Sequence, residues 1–117
     1  MISGIGLDIV ELDRIARLEA NSGKFSARIL TNSEADIYRS LSGHRRTEFL
    51  AGRFAGKEAF AKARGTGIGS GCNFRDIEIL PEPNGKPLLY FKGTLVSGFI
   101  SITHTNNIAA AQVILQA

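Results

Sequence analysis

The sequence has 117 residues, 44% of them hydrophobic, a single cysteine and a formal net charge of +3. That length suits one modest domain and argues against two, and the near-zero mean hydropathy is that of an ordinary globular chain. No apolar run approaches the roughly 20 residues of a membrane span, and "MISGIGLDIV" has neither a charged leader region nor a cleavage site, so the expectation is a cytoplasmic protein.

"ISGIGLDIV" alternates with period two: Ile5, Leu7 and Ile9 share one face of a strand, and Gly4, Gly6 and Asp8 share the other. "ELDRIARLEA" then sets Leu12, Ile15, Ala16 and Leu18 at helical spacing, with Asn21, Ser22 and Gly23 as the stop. "TNSE" at 31–34 is a capping box that opens a helix through about Leu41. "SGHRR" reads as a connection, and a longer helix is expected from about Thr47 to Arg64, with Gly65 as its C-cap. "GTGIGSG" reads as a mobile loop, and Cys72 just beyond it as a small loop residue with no partner for a disulfide or a thiolate metal site. "FRDIEIL" and "KPLLYFK" flank the turn signal "PEPNG" as a hairpin. "FISITHT" and "IAAAQVIL" flank Asn106 and Asn107, residues suited to a positive-φ turn. The sum is a single α+β domain over residues 1–117, its helices in the first half packed on a mainly antiparallel sheet.

The basic residues are unevenly placed. Arg14, Arg17, Lys24 and Arg28 lie early, Arg45, Arg46, Arg53 and Lys57 follow, and the last third holds only Lys86 and Lys92. Such a field suits an acidic protein, a phosphate-rich small molecule or nucleic acid. Winding residues 49–64 as a helix gathers Arg53, Lys57 and Arg64 on one stripe, and puts Glu58 and Lys62 beside a face of Ala and Gly. Glu58 and Lys62 are then either a surface pair at i and i+4 or groups aimed along a packed interface. Asp8 raises the second possibility, because a carboxylate in an apolar strand needs a partner. That partner is Lys62 or the start of the following helix, or else Asp8 and Glu58 converge on a hard divalent cation with Lys62 and Arg53 neutralising phosphates. His104, in step with Ile100 and Ile102, is a satisfied edge histidine or a phosphate contact; His44 is read as solvated. The glycine-rich "GTGIGSG" does not lead from a strand into a helix, so a nucleotide-binding loop is not supported.

Five pieces, "GIGLDIVEL", "FLAGRFAGKEAFAKA" with "GTGIG", "DIEI", "NGKP" and "SITHTNNIAAAQVI", occur in an order that resembles the holo-acyl-carrier-protein synthases, the short branch of the 4′-phosphopantetheinyl transferases. The departures are slight: Gly56 stands where that family usually has Ala, and Thr103 where Ser is common. The resemblance implies transfer of the phosphopantetheine arm of coenzyme A to a serine of an apo acyl carrier protein, in fatty acid biosynthesis, with release of adenosine 3′,5′-bisphosphate. It implies Asp8 and Glu58 as Mg²⁺ ligands, Asp8, Glu58 and Lys62 as the catalytic set, and Arg53, Lys62, Gly65, His104 and Thr105 as coenzyme A contacts. It further implies a homotrimer with sites between subunits, and docking of the acidic carrier protein on Arg14, Lys24 and Arg28. A water, Glu58 or Lys62 is left as the base for the acceptor serine. The rival readings are a small basic RNA-binding module, which would want exposed aromatics among its basic residues, and a different Mg²⁺-dependent enzyme acting on a nucleotide pyrophosphate.

Overall fold

The N-terminal alternation becomes strand β1 (Ile2–Glu11), and the computed structural model, which describes residues 1–117, pairs it antiparallel with the final strand. Four helices follow: α1 (Leu12–Ser22), α2 (Phe25–Ile29), α3 (Asn32–Ser40) and α4 (Gly43–Arg64). A 3₁₀ turn at Phe74–Asp76 leads into β2 (Ile77–Pro81), β3 (Pro87–Phe91), β4 (Thr94–Leu95), β5 (Gly98–His104) and β6 (Ile108–Gln116). The strands make two antiparallel three-stranded sheets, ordered β1-β6-β5 and β2-β3-β4, where the sequence suggested one. No helix is long and apolar enough to cross a membrane.

The capping box forms as the sequence indicates. Thr31 Oγ1 accepts the Glu34 N–H at 3.3 Å, and Glu34 Oε1 accepts the Thr31 N–H at 2.9 Å. Two boundaries differ from expectation. "SGHRR" is not a connection, because α4 begins at Gly43. Its first turns are held by side chains: the Arg46 guanidinium lies 4.4 Å from the Tyr38 ring centroid, and His44 Nε2 is 3.6 Å from Glu48 Oε2 one turn later. Helix α2 has only five residues, too few to show a period, yet Phe25 and Ile29 at i and i+4 are both buried.

The bend between β5 and β6 also differs in its chemistry. Asn106 and Asn107 keep negative φ, since Lys92 is the one non-glycine residue with positive φ. The Thr105 hydroxyl orders the bend instead, accepting the N–H groups of Asn107 at 3.1 Å and Ile108 at 3.2 Å. The glycine-rich segment after α4 is not a loose loop throughout. Gly65, at φ 82°, caps α4, and Gly69 and Cys72 exchange two backbone hydrogen bonds of 3.0 Å while the Cys72 side chain is buried.

Alternation leaves open which face of β1 turns inward, and the fold buries the bare one. Helix α4 lies across β1 so closely that a Cβ on Gly6 would sit 1.8 Å from the Ala59 carbonyl oxygen, and one on Gly4 2.1 Å from that of Ala63. Ala55 and Ala59 on the facing side of α4 have no exposed surface. Ile5, Leu7 and Ile9 therefore point away from the core and remain 59%, 55% and 61% exposed. Gly56, where the related family usually has Ala, serves the packing of α4. A Cβ there would meet Ile79 Cδ1 of β2 at 2.7 Å and Ile100 Cδ1 of β5 at 3.1 Å, so its smallness seats α4 against both sheets.

Lys57 corrects the basic stripe. It is fully buried, and its Nζ donates to Glu34 Oε1 and to the Ile29 carbonyl, each at 2.6 Å, so it contributes nothing to an outward positive field. Arg53 and Arg64 diverge as well: Arg53 stacks on Phe49, and Arg64 on Phe91.

The backbone-to-backbone seat of α4 on β1 gives a stability test. Gly6→Ala should lower the unfolding free energy by about 3 kcal/mol, because the clash is with main chain that cannot rotate away. Chemical denaturation measures it, and an unchanged midpoint would mean that α4 does not ride at this distance.

Candidate active site

Asp8 sits on the inner face of β1 between Gly6 and Val10, opposite Ala111 of β6. With no side chain on Gly6, the carboxylate has lateral room, and Lys62 fills part of it. Lys62 Nζ donates to Asp8 Oδ1 at 2.9 Å and to the Leu7 carbonyl at 3.1 Å. The bond it donates to Asp8 pushes the ammonium of Lys62 above its ordinary range, although the side chain itself is half exposed. The expected alternative of a surface pair between Glu58 and Lys62 does not form; Lys62 turns to the strand.

Glu58 lies one turn before Lys62 on α4, half-buried. Burial first, and then the negative charge of Asp8, push its carboxyl above the ordinary range, with Lys62 and Arg14 pulling it back. A carboxylate raised by a second one across a strand and a helix marks a place where an added cation relieves repulsion. No third His, Cys, Asp or Glu joins them to make a closed protein cage. The donor set therefore fits a hard cation that keeps most of its positions for water and substrate oxygens, as Mg²⁺ does, and does not fit a structural zinc site.

Glu58 also lines a cleft between α1, α2 and α4, with Arg14, Arg28, Leu18, Phe25 and Phe54 around it. Two of the three expected docking residues thus flank the carboxylate cluster. Lys24, at the cap of α2, is exposed and not among the cleft residues.

Arg53 and His104 belong to a different cavity, of ≈ 390 Å³, large enough for a nucleotide-sized group and shared with Arg45, Glu48, Phe49 and Gly85. Arg53 is fixed there by its neighbours. Nε donates to the Ile79 carbonyl at 3.2 Å and the guanidinium lies 4.1 Å from the Phe49 ring centroid. Burial lowers its pKa, opposed by the charge of Glu34. His104 ends β5 on the same face as Ile100 and Ile102, and its Nδ1 lies 3.0 Å from Glu48 Oε2, so the edge histidine has a carboxylate beside it. Thr105 spends both oxygen lone pairs on the bend, which leaves its O–H free to donate outward. Gly65 lines neither cavity; its place is the left-handed end of α4.

The proposed residues therefore fall into two groups on one chain, Asp8 with Glu58 and Lys62, and Arg53 with His104. Sequence reading passed over Glu48, Phe49 and Gly85 in the second group and Leu18, Phe25 and Phe74 in the first cleft. Glu48 follows His44 by four residues, a spacing that becomes a helical pair only because α4 begins at Gly43. That Glu48 meets His104, 56 positions away in sequence, is a tertiary fact.

A family model described as the 4′-phosphopantetheinyl transferase superfamily matches residues 4–114. The chain is 55% identical to a holo-[acyl-carrier-protein] synthase of Bacillus subtilis, over 99% of this chain and 97% of that protein. Its fold matches the crystal structure of a holo-(acyl-carrier-protein) synthase from Bacillus anthracis in complex with CoA (3′,5′-ADP), with a TM-score of 0.89, 47% identity and coverage of 100% and 98% of the two chains. It also matches a Helicobacter pylori holo-[acyl-carrier-protein] synthase in complex with coenzyme A, with a TM-score of 0.83, 31% identity and coverage of 96% and 99%. With the fold, the family pattern and the relatives in agreement over nearly the whole length, this chain belongs to the 4′-phosphopantetheinyl transferase superfamily.

Proposed function

We propose that this chain transfers the 4′-phosphopantetheine arm of coenzyme A to a serine of an acidic acyl carrier protein, in fatty acid biosynthesis, releasing adenosine 3′,5′-bisphosphate. The observation that carries the reading is the meeting of Asp8, Glu58 and Lys62 beside a cleft flanked by Arg14 and Arg28, in a chain whose relatives are holo-acyl-carrier-protein synthases.

Asp8 and Glu58 would hold Mg²⁺, which when bound supplies charge neutralisation to the pyrophosphate and the departing bisphosphate. The remaining work falls to the chain's own groups. Lys62, whose side chain is half exposed, exchanges Asp8 for a pyrophosphate oxygen and adds positive charge where the leaving group becomes negative. Its raised pKa keeps it a donor, which leaves Glu58 or a water as the base for the acceptor serine. The serine oxygen bonds to the β-phosphorus, the bond from that phosphorus to the bridging oxygen breaks, and the serine proton leaves to the base. Arg53, His104 and Thr105 contact the adenosine bisphosphate end, Gly65 bends the backbone beside Lys62, and Arg14, Lys24 and Arg28 face the acidic partner.

The separation of the two groups supports a trimer with its sites at subunit boundaries, where His104 of one protomer completes the Asp8 cluster of its neighbour. The outward face of the β1-β6-β5 sheet favours self-association too. Ile5, Ile114 and Phe99 form one cross-strand row, with Leu7 and Ile9 beside it. An apolar surface of this kind is seldom left to water.

Intact-mass spectrometry of an apo acyl carrier protein with this protein, coenzyme A and Mg²⁺ should show a gain of about 340 Da, the mass of one arm. Asp8→Ala and Glu58→Ala should each abolish it, and no gain with any carrier protein would refute the activity. Reversing Arg14 and Arg28 to Glu should raise KM for the carrier protein at least about tenfold while leaving KM for coenzyme A unchanged, and more so at low salt. Light scattering should give three times the chain mass, and Leu7→Lys should yield a folded monomer without transferase activity. A wild-type monomer that retains activity would rule out the intersubunit site.

A further inference from the structure

One carboxylate stands in the basic cavity with no evident reason to be there. Glu48 lines the same space as Arg45, Arg53 and His104, and a negative charge there opposes the binding of any phosphate. Were Glu48 present to balance the arginines, it would pair with one of them. It pairs with neither. Its Oε2 lies in ion-pair contact with His104 Nδ1 at 3.0 Å and farther from His44 Nε2, at 3.6 Å. Arg53 meanwhile is committed to the Ile79 carbonyl and the Phe49 ring.

We infer that Glu48 is a positioning residue for His104, an assignment that rests on the proposed binding of coenzyme A in this cavity. A carboxylate this close to Nδ1 favours the proton on that nitrogen, and a small turn of the exposed ring aligns the N–H with it and sets the ring's plane. Nε2 is then the nitrogen presented to the cavity. When the ring is protonated, Nε2–H is a donor of fixed direction for a phosphate oxygen, and Nδ1–H stays on Glu48. The arrangement is the one seen around metal-bound histidines, where an outer acceptor sets tautomer and orientation, here applied to an anion contact. Helix α4 makes it stiff. Glu48 is half-buried on α4 four residues before Gly52, which packs at 3.1 Å, counted from an added Cβ, against Ile102, two residues before His104 on β5. The helix that carries Glu48 is thus seated on the strand that carries His104.

The test combines kinetics with a direct view of the imidazole. Glu48→Ala should raise KM for coenzyme A about tenfold, the worth of one charge-assisted hydrogen bond, with kcat and KM for the carrier protein unchanged. Glu48→Gln keeps an acceptor and should recover most of that loss. In a His104→Ala background, Glu48→Ala should add nothing. Long-range proton–nitrogen spectra of the free protein should show His104 carrying its neutral-state proton on Nδ1 in the wild type and largely on Nε2 in Glu48→Ala. A full independent loss in the double variant, or a tautomer indifferent to Glu48, would overturn the assignment. The spectra need no substrate, so they decide the orientation even if the wild type fails to bind coenzyme A, an outcome that would refute the proposed function instead.

Discussion

A buried ion pair holds the two halves of this fold together. Glu34 and Lys57 have no exposed surface, and between them they reach four elements. Lys57 comes from the middle of α4 and also bonds the carbonyl of Ile29 at the end of α2; Glu34 sits in the first turn of α3 and accepts the Ile79 N–H of β2 at 2.7 Å. Burial pulls the lysine pKa down and Glu34 pulls it back. A charge left alone in such a place costs about 3–5 kcal/mol, so neither partner is free to vary by itself. What the pair secures is geometry: it pins α4 at its centre, and α4 carries Glu48, Arg53, Glu58 and Lys62 along its length.

The helix then acts as a ruler between two unlike surroundings. Toward its start it meets β5 and the basic cavity; toward its end it meets β1 and the carboxylate cluster. Glycine at positions 4, 6 and 56 lets the ruler lie flat on both sheets. Charged groups at the rims are therefore set by main-chain contacts and not by long flexible side chains, which is the rigidity that positioning chemistry requires.

Local signals made much of this visible in the sequence. The capping box at Thr31, the alternation of β1, the "PEPNG" hairpin and the Gly65 cap each depend on residues close in sequence, and each is found in place. Asp8 stood out because a carboxylate in an apolar strand demands an answer. What stayed hidden was tertiary. Helical winding put Lys57 among the cations, but only the approach of α3 and β2 makes that side of α4 the interior. The inward face of β1 was likewise undecidable locally, since the apolar residues would ordinarily be the buried ones, and here the need for helix-to-strand contact at Gly4 and Gly6 prevails. Family likeness brought Arg14 toward the site of Glu58, which no spacing does, and neither likeness nor spacing joined Glu48 to His104.

The pairing of β1 with β6 has a consequence for how the protein is made. Asp8 lies opposite Ala111, so the strand that bears the carboxylate finds its neighbour only when the last sheet strand is available. During synthesis the helices can gather early, but β1 must wait through more than a hundred residues of translation with its apolar edge unpaired. The sheet on which Asp8 stands is thus closed only once β6 has emerged, however early α4 settles.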